Sequence, residues 1–155
     1  TLGLVRPGSW PRAFGTMAIA LIAVLVIGAA LNVFLEAGEE QGLVPDEWDS
    51  TRAAPFVANF VVVAVFAPVV EELMFRGLGF AVLRDMYGTT AAMIGSGLAF
   101  GLAHGLFIAL PILTIFGIIL AWVRVRTTSI YPAIGLHATF NALALIVAVA
   151  GGESL

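Results

Sequence analysis

The chain has 155 residues, 61% hydrophobic and 11% charged, with a formal net charge of -3 and no cysteine. Ordinary soluble domains carry roughly 25% charged residues, so this chain cannot cover a water-facing surface, and its mean hydropathy of +1.06 points to an integral membrane protein. The seven basic residues are all arginines and form no run, which argues against a nucleic-acid partner; the lack of cysteine excludes disulfides, thiolate metal sites and a cysteine nucleophile.

In chain order, the first apolar segment is Phe14–Leu35, an unbroken run of spanning length. Arg6 and Arg12 before it imitate a signal peptide, but the run exceeds the usual signal core of about 7–15 residues. An acidic loop with Gly, Pro and Trp48 follows, Glu36–Ser50. The second span is Ala53–Arg76, and Gly77–Tyr87 reads as a helix extension or an interfacial stretch. Thr89–Leu106 is the third span, rich in glycines that let helices approach closely in lipid. Pro111–Val125 is the fourth and Ile130–Ala150 the fifth. The fold expected is an all-α, polytopic membrane helix bundle of about five spanning segments, with its active site buried between helices. Because the chain begins at Thr1, residues 1–155 are read as a single membrane domain of a longer protein, with 53–150 as its motif-bearing core.

Alternation of the spans puts Arg6 and Arg12, Arg76 and Arg84, and Arg124 and Arg126 on one side of the membrane, the cytoplasmic side by the positive-inside rule. Arg52 is the exception. Trp10, Trp48, Trp122, Tyr87 and Tyr131 fall near span ends and fit interfacial anchoring.

Ionisable groups inside spans are rare and mark function or specific pairing. Here they are Glu71, Glu72, Arg76, His104 and His137, with Asn141 as a polar companion. Glu72 and Arg76 are four apart, so they share a helix face and can pair. Glu71 is rotated about 100° from Glu72 and must face elsewhere. His137 and Asn141 share a face, as do Phe100 and His104. Taken singly, each has a bland reading: charges at a membrane boundary snorkelling to headgroups, or histidine and asparagine joining helices by hydrogen bonds. Taken together, a glutamate, two histidines and an asparagine on three spans can do acid–base work on water and donate to an oxyanion. The same set could bind zinc through Glu71, His104 and His137, although the HExxH signature is absent.

EELMFR fits EExxxR at Glu71–Arg76, FGLAH fits FxxxH at Phe100–His104, and HATFN fits HxxxN at His137–Asn141. In order and spacing the three motifs resemble the CPBP family of intramembrane metalloprotease-like proteins, the family of the type II CAAX prenyl endopeptidases, also called the ABI family. The resemblance implies a helical membrane protease. It assigns Glu71 to activating water with His104 as partner, and His137 and Asn141 to the oxyanion hole. It assigns Glu72, Arg76 and Phe100 to shaping the site. No cofactor is favoured, and zinc is the alternative.

The expected function is thus an intramembrane endopeptidase acting on a membrane-associated protein or peptide, lipidated or not, among membrane lipids. A prokaryotic plasma membrane suits the lysine-free composition. The competing readings are a non-catalytic scaffold or bacteriocin-immunity-type protein, and an ion-coupled transporter using Glu71 and the histidines as a relay. Depth poses a geometric condition. Glu71 closes span two, His137 lies about 12 Å into span five, and His104 about 22 Å into span three. Convergence needs span three to be tilted, short or broken near Gly101–Gly105, or Gly77–Tyr87 to carry the chain partly back.

Overall fold

A computed structural model describes residues 2–35 and 53–151. The acidic loop Glu36–Ser50, with Trp48 and Arg52, lies outside the described residues. Those residues are helical apart from short connections, as a bilayer requires when no water is available to pair with backbone polar groups. Helix α1 is Trp10–Leu35. Helix α2 covers residues 53–87 and α3 residues 89–103; the two are separated at Gly88, whose φ of 83° breaks the stretch Phe80–Ala103. Helices α4, Leu110–Thr127, and α5, Tyr131–Gly151, complete the bundle.

Among the described residues, four stretches are long and apolar enough to cross a membrane: 10–35, 53–103, 110–127 and 131–150. The sequence led to about five. The difference lies in the third span, because α3 is about 22 Å long, too short for a hydrocarbon core of about 30 Å. It ends at Ala103, and Gly105 turns the chain at φ 68°. A short third helix was one of the geometries that convergence required. Gly77–Tyr87 does not turn back; it continues α2.

Helix α4 is central, packing on α1, α3 and α5, while α5 also lies along the middle of α2. The outward sides of α1 and α2 stay apolar, with Phe14, Ile22, Val26, Val62, Phe66 and Val70 exposed. In lipid that surface is in its preferred solvent. Inside, Phe100, Phe116, Leu120 and Leu136 are buried in one cluster.

Helices α3 and α4 touch backbone to backbone. A Cβ added at Gly97 would lie 2.5 Å from Ile118 Cγ1 and 2.7 Å from its nitrogen, and one at Gly117 would meet Gly97 Cα at 2.8 Å. Gly97→Ala is therefore expected to push the helices apart and cost about 1–3 kcal/mol by overpacking, lowering the melting temperature in detergent. Gly28→Ala, with nothing within 4 Å, is the control expected to leave it unchanged or raised.

Helix α2 contains two wide turns, Val62–Phe66 and Leu73–Gly79, on either side of Ala67–Glu72. The Ala67 N–H reaches back five residues to the Val62 carbonyl, and the Phe80 N–H to that of Phe75. Returning to four-residue spacing skips one carbonyl after each, those of Val63 and Arg76. Pro68, with no N–H, makes the first skip permanent. Side chains from other helices take both carbonyls: Asn141 Nδ2 donates to Val63 at 2.9 Å, and Arg124 Nε to Arg76 at 3.0 Å.

Candidate active site

The segment Glu71–Arg76 thus sits between two places where α2 is pinned to its neighbours. Its two carboxylates point apart, as their rotation demands. Glu72 is fully buried and its Oε1 lies 3.0 Å from Arg76 Nη1. The same oxygen accepts a 3.0 Å hydrogen bond from His137 Nδ1. Glu71 keeps 27% of its side chain exposed, and its Oε2 lies 3.8 Å from His137 Nε2.

Arg76 is held on three sides. Beyond Glu72, its Nη2 donates to the Gly117 carbonyl at 2.9 Å, and its guanidinium lies over the Phe100 ring at 4.4 Å. Such a desolvated cation–π contact is worth about 2 kcal/mol. The glycines that bring α3 onto α4 also bring the Gly117 carbonyl within reach of Arg76.

Phe100 is the hub of the aromatic packing. It is fully buried, edge-on to Phe75, Phe116 and His137, and its ring centroid is 4.6 Å from that of His104. His104 follows α3 as its cap residue and is exposed, not inside a span. Its Nδ1 lies 2.8 Å from the Phe100 carbonyl. A carbonyl can only accept, so the proton sits on Nδ1 and the neutral ring presents the Nε2 lone pair.

Of the residues singled out from the sequence, Glu71, Glu72, Arg76 and His137 form one polar cluster. Asn141 sits one turn beyond His137 on α5, and one amide N–H remains after the bond to Val63. His104 joins the group through Phe100; it has no hydrogen bond to Glu71, whose ionisable neighbour across the helices is His137.

Sequence reading missed Arg124, which it assigned to a boundary. The residue is buried, and its guanidinium also lies 4.8 Å from the Phe80 ring. Spacing held the signal: Leu113, Gly117, Leu120, Arg124 and Thr127 recur at three or four residues along the buried face of α4. Phe75 and Phe116 were also missed, being indistinguishable from other apolar residues in a run.

The chain matches the family model described as type II CAAX prenyl endopeptidase Rce1-like over residues 53–143, more than half its length. It belongs to that family. The matched stretch contains all three motifs. No curated protein and no solved structure matches the chain. The protein is accordingly an integral membrane protein of a CAAX-type protease family, with four helical stretches among the described residues fit to span a bilayer.

Among the described residues, no three His, Asp or Glu side chains are grouped to hold a metal ion. Two members of the zinc set considered above, Glu71 and His137, do approach each other. The third, His104, is not grouped with them, and the Nδ1–H that His137 donates to Glu72 leaves its Nε2 as the ring nitrogen free to act.

Proposed function

We propose that this protein is an intramembrane endopeptidase in which Glu71 activates water for attack on a peptide bond. The observation that carries this reading is the asymmetry of the two glutamates. Glu72 is fully buried with its Oε1 committed to Arg76 and His137, whereas Glu71 keeps 27% of its side chain exposed. The Oε2 atoms of both lack a hydrogen-bond partner, but only that of Glu71 belongs to a side chain that water or substrate can reach.

In this scheme Glu71 takes a proton from water, and the water oxygen bonds to the peptide carbonyl carbon. The proton then passes to the amine as the C–N bond breaks. His104, with its Nε2 lone pair, accepts the second hydrogen bond of the water. His137 Nε2 and the remaining Asn141 N–H face the developing oxyanion. Donation from Nε2 requires the doubly protonated ring.

The proposed mechanism needs no metal, with zinc as the alternative that the next experiment tests. Cleavage of synthetic membrane-anchored peptides by the reconstituted protein is expected to persist in a strong chelator; abolition by chelator and recovery with zinc would overturn the metal-free scheme. Running prenylated and unprenylated peptides side by side identifies the substrate class, with a membrane-associated protein or peptide as the expected partner. By the positive-inside rule we place the arginine-bearing helix ends in the cytoplasm of a prokaryotic cell.

A further inference from the structure

The start of α1 and the end of α4 meet around residues that are not part of the glutamate cluster. The Ile130 N–H donates to the Gly3 carbonyl at 3.0 Å, fixing the start of the chain beside the turn between α4 and α5. Between them lies a cavity of about 260 Å³, lined among others by Ser9, Arg12, Thr16, Arg126, Thr127 and Thr128. Arg12 comes from the first turn of α1 and Arg126 from the last turn of α4, so two cations from different helices share one concavity.

The lining includes no carboxylate, and neither arginine forms an ion pair among the described residues. Arg126 rests near the Trp122 ring, 5.7 Å from its centroid. Uncompensated positive charge in a concave site selects an anion. Position identifies the anion's source. Both helices are membrane-spanning by length and composition, and the cavity sits at their ends. Lipid headgroups occupy that level, and Trp10 is exposed there as an interfacial anchor. The volume is slightly below the about 300 Å³ at which pockets for drug-sized ligands begin, a size suited to a headgroup.

We propose that this cavity binds the phosphodiester headgroup of an anionic phospholipid, separately from the proteolytic site. The test is thermal melting of the purified protein in neutral detergent, with phosphatidylglycerol, phosphatidylcholine or inorganic phosphate added. Phosphatidylglycerol is expected to raise the melting temperature at lower concentration than phosphatidylcholine. In Arg12→Gln/Arg126→Gln its apparent affinity should fall by about tenfold or more, from two lost charges near the surface. Arg6→Gln removes an exposed charge that does not line the cavity, and should leave the affinity unchanged.

Both cavity arginines are exposed, so the variant should melt like the wild type without lipid; the single Arg12→Gln provides the same comparison with less perturbation. Equal weakening by Arg6→Gln would reduce the effect to general surface attraction and overturn the site. Equal responses to the two lipids would do the same. Stabilisation by inorganic phosphate without a response to phosphatidylglycerol would overturn the lipid as occupant.

Discussion

Glu71→Gln is expected to lower peptide cleavage by about 10²–10⁴-fold, the usual contribution of a positioned general base. The substitution keeps the shape of the side chain and removes its basicity. It should not unfold the protein, because Glu71 is partly exposed and its buried oxygen makes no hydrogen bond. Stability should stay within about 0.5 kcal/mol of wild type, as for substitutions away from tightly packed features. Glu72→Gln offers the contrast. That carboxylate is fully buried between Arg76 and His137, so its loss should disturb folding and activity together. A pair of neighbouring glutamates whose isosteric replacements separate in this way would distinguish a reacting carboxylate from a structural one. Equal losses of stability in both variants would contradict the assignment.

Arg76→Met is expected to destabilise the bundle by about 3–5 kcal/mol, because it leaves the buried Glu72 carboxylate without its counter-charge. The Gly117 carbonyl also loses its donor and the Phe100 ring its cation. The expected readout is a large fall in melting temperature in detergent. Arg76→Lys should recover only part of it, since an ammonium cannot serve a carboxylate, a carbonyl and a ring face from one planar group. Replacing both partners, as in Arg76→Met with Glu72→Leu, should regain stability because no buried charge is then stranded. It should not regain activity, because His137 Nδ1 has lost the acceptor that fixes its ring. Wild-type melting by Arg76→Met would remove the ion pair from any structural role.

The residues that carry this cluster were legible because charge is conspicuous in an apolar chain. Helical rotation separated Glu71 from Glu72, and spacing paired Glu72 with Arg76. Those are local consequences of 3.6 residues per turn. The contacts across helices were less legible. The family resemblance paired Glu71 with His104 through a water, but it gave no sign that the fold would also put His137 3.8 Å from Glu71 and His104 against the Phe100 ring. Which histidine arrives depends on where α3 stops, and its end is set by a few glycines and a turn, not by hydropathy. The apolar window Thr89–Leu106 read as the third span, although the helix ends at Ala103. The wide turns of α2 were also hidden. Pro68 marks one, but nothing in the residues around Arg76 announces that its carbonyl will be taken by Arg124.

The proposed role of Glu71 as the base of a protease can be read from new peptide termini, compared by mass spectrometry after reconstituted wild-type and Glu71→Gln protein act on membrane proteins and anchored peptides. A set of termini is expected with the wild type and not with the variant, while both proteins melt at the same temperature. Identical termini from the two proteins would contradict it.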